Sequence, residues 1–304
     1  MVTYNPKDWF TYTFKLHKAD TFRKLTPMLL AICIYSGIIA YLEIEVWNLS
    51  QNSHVKNIPQ MHSLLGFAIS MLLVFRTNTA YDRWWEARKL WGALTNNSRN
   101  LALKLATILP ASEKSQRSFF KKIIPAYAEA LHLHLHKEKT RLALAQDDEH
   151  GHIIKAVDHD KHVPNQISLL MYKHIHTLHK EGVISGEQLL FLNSELLSFT
   201  VMGKFKRAFT DICGACERIK NTPIPFSYSV FIKKFIFIYI MTLPFGYVFS
   251  LGYWVIPVVM FVFYVLASLE LIAEEIEEPF GGDLNDIPSQ KIAENIKTSI
   301  SEIL

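Results

Sequence analysis

The stretch from Ser63 to Asn100, SLLGFAISMLLVFRTNTAYDRWWEARKLWGALTNNSRN, decides how the chain is read, because a membrane-grade apolar run passes within it directly into an aromatic and charged one. No proline interrupts it, so it reads as one helix. On that helix Phe67, Met71 and Phe75 fall at i, i+4 and i+8 and stack on a single face. Such a face turns to lipid, to a neighbouring helix or to a pore, and spacing alone does not choose among them. Past the apolar part come Arg76, Asp82, Arg83, Glu86 and Arg88, interleaved with Tyr81, Trp84, Trp85 and Trp91. Charges at bilayer depth are costly, so the helix is expected to leave the hydrocarbon near Phe75.

On the N-terminal side, Leu25 to Leu42 carries no charge and nearly reaches the ~20 apolar residues that a span needs. Trp47 follows as an interfacial anchor. Glu43 to Gln60, with Lys56 as its only Lys or Arg, reads as a short outer loop. The second helix is expected to begin near Met61 and to run to about Leu109, where Pro110 stops it. Far downstream, Phe235 to Leu269 is again uncharged and too long for one ordinary span. Gly246 and Gly252 predict two short helices, roughly Lys234 to Phe249 and Tyr253 to Leu269, with Pro244 and Pro257 as sites of kinks.

The whole-chain average hides this split: of 304 residues 50% are hydrophobic and 20% charged, but the charge and histidine concentrate between the apolar runs. Lys7, Lys15, Lys18, Arg23, Lys24, the middle region and Lys233 with Lys234 carry the positive charge, and the two outer loops almost none. The positive-inside rule then gives four spans with both termini cytosolic. The parts are a leader (1–24), the first two membrane helices (25–78), a helical cytosolic region (79–230), two further membrane helices (231–273) and an acidic C-terminal segment (274–304). The leader is charged throughout and is no cleavable signal peptide. Its Trp9, Phe10, Tyr12 and Phe14 rest on the membrane surface or pack against the protein. A net charge of +4 and the acids within Tyr81 to Trp91 argue against nucleic-acid binding. Three cysteines, Cys33, Cys213 and Cys216, cannot build a disulfide framework.

In the middle region three helices are expected. Ser115 to Lys137 has a kink or fresh start at Pro125, Gln166 to Lys180 lies between Pro164 and Gly182, and Glu187 to Phe199 repeats leucine at helical spacing. The polar QDDEHGHIIKAVDHDKHVPNQ between the first two is a loop.

Several constellations carry possible chemistry. Cys213-Gly-Ala-Cys216 has the spacing of a redox pair or half a zinc site, but no second cysteine pair completes four ligands, and close packing of small residues accounts for it better. His132 and His136 share a helix face while His134 points away, so at most two of them reach one metal. His150, His152, Asp158, His159, Asp160 and His162 follow no recognised metal spacing and read as surface residues. From Glu270 the chain turns acidic, with Glu274, Glu275, Glu277, Glu278, Asp283 and Asp286 around a Gly-Gly turn. That set either holds a hard cation such as calcium or is a solvated helix end. Phosphate-cradling glycine loops, nucleophile elbows and paired carboxylates in apolar surroundings are missing from the sequence, which weakens an enzymatic reading.

Three motifs in order, LLGFAISMLLVFRTNTAYDRWWEARKLWG, GACERIKNTPIPFSYS and EEIEEPFGGDLNDIP, resemble the bestrophin family, in particular its bacterial branch. The resemblance covers most of the chain and is weakest from about Ala111 to Phe205. It implies an all-α membrane protein with four transmembrane helices and a helical cytosolic region, assembled with four identical subunits around a central pore in the inner membrane. Phe67, Met71 and Phe75 correspond to the family's hydrophobic neck. A second, cytosolic constriction falls near Glu187 if Thr200 to Phe209 is an insertion, or near Leu197 if it is not. Glu275, Glu278, Asp283 and Asp286 match the calcium clasp of animal members, but Leu284 and Asn285 interrupt the acidic run, so no cofactor is required and calcium gating is not expected. The transported species is a small monovalent ion, with sodium favoured and chloride the alternative. A membrane-bound metal-dependent enzyme built on the histidine-rich loop is the rival class.

Overall fold

The computed structural model describes residues 21–47, 57–136, 157–158, 160–196, 200–201, 204–205 and 208–304. Among these the chain is helical apart from one minimal hairpin. The helices are α1 (Thr21–Tyr41), α2 (Ile58–Ile108), α3 (Lys114–Leu135), α4 (Val163–Lys180), α5 (Gly186–Leu196), α6 (Phe209–Asn221), α7 (Phe226–Leu251), α8 (Val255–Glu277) and α9 (Ser289–Ile303). The antiparallel strands β1 (Thr200–Val201) and β2 (Lys204–Phe205) form the hairpin.

Contacts divide the chain into two compact units. The first holds the described residues up to Trp84 with Pro223–Pro279 and Asp283–Asp286, and the second holds Trp85–Thr222, Phe280–Gly282 and Ile287–Leu304.

In the first unit, three helical stretches are long and apolar enough to cross a membrane: Thr21–Val46, Ile58–Ile108 and Phe226–Glu277. The third is two helices, α7 and α8, joined by the 3-10 turn Gly252–Trp254, where Gly252 has a φ of 54° that favours glycine. α8 packs on both α1 and α7. α1 contributes the stripe Leu25, Leu29, Ile32 and Ala40 to a core shared with Ile69 and Leu73 of α2, Ile236 and Ile240 of α7, and Val259 and Phe263 of α8.

Two expectations change here. Helix continues past Tyr41 as a π-helical turn, Leu42–Val46, and Glu43, expected in an outer loop, is buried at 3% exposure. α7 reaches beyond the uncharged run at its N-terminal end and α8 at its C-terminal end, where Lys233 and Glu274 pair at 3.0 Å. α7 is unbroken at Pro244. Pro257 stands in the first turn of α8, where a missing N–H leaves no helical bond unmade.

In the second unit α3 runs through Pro125 without a fresh start, one of the two outcomes expected there. Phe119, Phe120, Ile123, Ile124, Tyr127 and Leu131 give it a continuous buried face, which outweighs the lost hydrogen bond. α9 packs on α3 through the seam Ala293, Ile296 and Ile300. α4 packs against α3, α5 and α6. α2 ends as expected before Pro110, and Arg117 Nη2 donates to its terminal carbonyls at Ala106 (2.8 Å) and Leu109 (2.7 Å).

Candidate pore-lining face and the charged network behind it

α2 is a helix of two faces. His62, Ile69, Leu73, Arg76 and Ala80 recur at intervals of seven, four, three and four and are buried. Phe67, Met71 and Phe75 lie on the opposite side and are 71%, 50% and 55% exposed. The small polar residues near that face turn inward onto their own helix: Ser70 Oγ donates to the Gly66 carbonyl at 2.7 Å and Thr79 Oγ1 to that of Phe75 at 2.9 Å. The exposed face therefore presents apolar surface without a charge among its three aligned residues.

The buried face is fixed by close backbone approach and by ions. A Cβ on Gly246 of α7 would stand 2.8 Å from Pro59 Cδ and 3.0 Å from Ile58 Cβ, so only glycine lets α7 meet the start of α2 there. His62 Nε2 meets Thr242 Oγ1 at 2.9 Å. Arg76, near which the helix is expected to leave the hydrocarbon, is 1% exposed within the subunit. Its Nη2 lies 2.7 Å from Glu277 Oε2 and its Nε 3.5 Å from Glu270 Oε2. The second Glu277 oxygen accepts the Ile224 N–H at 2.7 Å, and the Glu277 carbonyl accepts Arg83 Nε at 3.1 Å. Sequence reasoning missed this network because neither α8's extension to Glu277 nor the pairing of residues two hundred apart is written in local periodicity.

Of the four residues proposed as a calcium clasp, Glu275 and Asp286 are buried, and Glu278 and Asp283 are exposed. Glu275 pairs with Lys24 at 2.5 Å and accepts Asn285 Nδ2 at 2.7 Å. Asp286 Oδ2 accepts the Asp283 N–H at 2.8 Å, which closes the turn around Gly282. Trp84 Nε1 donates to the Asn285 carbonyl at 3.0 Å, so the aromatic half of the opening stretch helps to hold this turn.

In the second unit Glu187 is exposed at the head of α5 and accepts Ser185 Oγ at 3.1 Å. Leu190 and Phe191, three and four residues on, continue its exposed face. The alternative Leu197 lies outside the described residues, as do His150, His152 and His159 of the histidine-rich loop.

One grouping was not foreseen. His134, which points away from its neighbours as expected, meets His162 and Glu217, and each imidazole Nε2 is 2.7 Å from Glu217 Oε1. Burial acts to raise the Glu217 carboxyl, but the hydrogen bonds and charges of His162 and His134 outweigh it and hold the group below the ordinary carboxylate range. His132 and His136 do share a face, with ring centroids 4.3 Å apart. Cys213 and Cys216 are buried free thiols, but Gly214 between them is exposed and a Cβ there would meet nothing within 4 Å, so close packing of the small residues is not what buries them. A histidine heading a helix beside proline is a capping signal visible in His162-Val163-Pro164, but nothing local reveals which residues it faces.

Residues 1–302 match the family model described as bacterial/fungal bestrophin protein. A voltage-dependent anion channel-forming protein of Nostoc sp. is 30% identical over 99% of this chain and 94% of its own length. The voltage-dependent anion channel-forming protein YneE of Escherichia coli is 30% identical over 79% of this chain and 75% of its own. The crystal structure of a bacterial bestrophin homologue from Klebsiella pneumoniae shares 29% identity, covers 92% of this chain and 99% of that one, and superposes with a TM-score of 0.77. With a match of this extent in both sequence and structure, the chain belongs to the bacterial/fungal bestrophin family.

Proposed function

We propose that five copies of the chain form an anion channel, with chloride the simplest permeant ion, and that Phe67, Met71 and Phe75 of the five α2 helices line its neck. The observation that carries this is the division of α2: three aligned apolar residues face away from their own subunit while Arg76 is locked on the other side. Three rings of apolar side chains make a constriction that dewets easily, so small rotations of α2 would open or close it. In this reading α1, α2, α7 and α8 are the four spans, both termini are cytosolic, and the partners are lipid and four identical subunits. The sodium preference expected from the sequence has less support than the anion reading, because the relatives are named for anion channels.

The specific observation favouring cations is the exposed Glu187, which as a ring of five carboxylates would repel anions. Conduction in our reading needs no cofactor. What supports this is that Lys24 and Asn285 already satisfy Glu275 within the chain. Calcium control through Glu275, Glu278, Asp283 and Asp286 remains a separate proposal, tested by flux with and without the ion.

The deciding experiment is a reversal potential in planar bilayers under asymmetric sodium chloride. A potential approaching that of chloride supports the anion channel, and one approaching that of sodium overturns it in favour of the cation reading. Absence of current at every voltage, including for Phe67→Ala combined with Met71→Ala, would sink the channel itself.

A further inference from the structure

The three side chains that converge at His134, His162 and Glu217 belong to three different helices of the second unit and take no part in the proposed neck. His134 lies in the last turn of α3, His162 is the N-cap of α4, and Glu217 lies on α6. Both imidazole Nε2 atoms point at one carboxylate oxygen, and the two rings stand 4.5 Å apart at their centroids. One ligand-capable atom from each residue lies within 4.8 Å of the other two. Two imidazole nitrogens and a carboxylate oxygen aimed at one point are the donor set of a borderline divalent ion rather than of calcium or magnesium, which take oxygen ligands.

We propose that His134, His162 and Glu217 bind one divalent transition-metal ion of the zinc class, with a fourth position left to water. With ligand bonds of ~2.0–2.1 Å, tetrahedral ligand atoms stand roughly 3.3 Å apart. The observed 2.7 Å separations must therefore widen by about 0.6 Å, a change within the reach of the Glu217 side chain, which is 30% exposed. The histidines are exposed to a similar degree, so an ion reaches them without unfolding. A cleft of about 560 Å³, with Leu169 and Tyr172 among its lining, borders the site on the Glu217 side. The ion would join α3, α4 and α6 through three strong bonds where the structure has two hydrogen bonds.

Binding has a defined cost at His162. Its Nδ1 accepts the Asn165 N–H at 3.2 Å, which places the ring proton on Nε2. A metal on Nε2 requires that proton at Nδ1, and the cap bond to Asn165 is then given up. Ion and helix cap compete for the same imidazole.

The proposal does not depend on the channel reading and is tested without measuring flux. Full-length protein purified in detergent is stripped with chelator, then titrated with Zn²⁺ against a chromophoric chelator and with Co²⁺ by visible absorption. One tight equivalent per chain is expected, weakened at least tenfold in His134→Ala and in Glu217→Ala and unchanged in His136→Ala. Glu217→Gln, closer in shape, shows the same loss should Glu217→Ala fail to fold. Zn²⁺ is also expected to raise the Tm of the wild type and not that of Glu217→Gln. Absence of a saturable equivalent, its survival in the His134→Ala and Glu217→Gln double variant, or its loss in His136→Ala overturns the assignment.

Discussion

Arg76 and Glu277 form a 2.7 Å ion pair in which the arginine is 1% exposed, one residue beyond Phe75 on the face of α2 turned away from the candidate neck. A guanidinium at this depth is tolerable only because Glu277 and Glu270 approach it from α8. The pair couples α2, one residue past Phe75, to the last turn of α8, immediately before the Gly-Gly turn. Rotation of α2 about its axis must break or carry this pair with it.

Removing Arg76 takes the counter-charge from both Glu277 and Glu270, and removing Glu277 leaves the buried arginine with Glu270 alone at 3.5 Å. Arg76→Met and Glu277→Leu are each expected to cost about 3–5 kcal/mol of stability. Their combination should cost less than the sum of the two. Thermal unfolding in detergent of the two single variants and the double variant measures this coupling, and simple additivity would count against a direct pair.

The two faces of α2 should respond in opposite ways. Phe67→Ala and Met71→Ala are expected to leave stability within about 0.5 kcal/mol, since both side chains are exposed in the subunit, and to raise ion flux several-fold. Leu73→Ala, on the buried face, should cost about 2 kcal/mol or more through the cavity it opens. Tm and liposome flux measured on the same preparations separate these outcomes.

Gly246→Ala is expected to destabilise the first unit by about 1–3 kcal/mol, because the new methyl meets Pro59 and Ile58 within 3.0 Å and neither ring nor branched carbon can swing aside. Gly37→Ala provides the contrast, as its nearest neighbour, Ile256 Cδ1, would be 3.6 Å away. A Tm close to wild type is expected for that variant.

The thiols of the second unit should be inert. Burial pushes the Cys213 thiol up to about 12, with the Glu217 charge adding to it, and burial raises Cys216 as well. In a Cys33→Ser background, maleimide at pH 8 should label neither thiol in the folded protein and both after denaturation. Rapid labelling of the native protein would revive the redox reading of the pair.

The acid side of the stability profile should report Glu217. Its carboxyl lies below the ordinary value of 4.5 in the folded protein, so its stabilising effect is complete above that value and is lost as pH falls through the lowered one. In metal-free protein, the fall of Tm between about pH 5 and pH 3 should be shallower for Glu217→Gln than for wild type.

What could be read directly from the chain follows from local rules. Hydropathy marks the runs at Leu25, Ser63 and Phe235, the absence of proline from Gln60 to Leu109 marks one long helix, and the i+4 spacing of Phe67, Met71 and Phe75 puts them on one face. Three ordered motifs supplied the family. Where the reading left two outcomes open or failed, packing decided: Pro125 sits in an unbroken helix because its neighbours on α3 are buried together, and Glu43 belongs to a helical turn because the π-helical segment extends α1.

The candidate sites divide along the same line. The exposed apolar face of α2 was legible because all its residues come from one helix, whose geometry ties sequence interval to direction. Arg76 with Glu277, and His134 with His162 and Glu217, join residues from separate helices. Sequence alone determined a membrane protein with an apolar face on its second span. Tertiary structure decided where the buried charge and the converging imidazoles lie, because those depend on which helices pack together and in what register, and a periodicity confined to one helix carries no record of its neighbours.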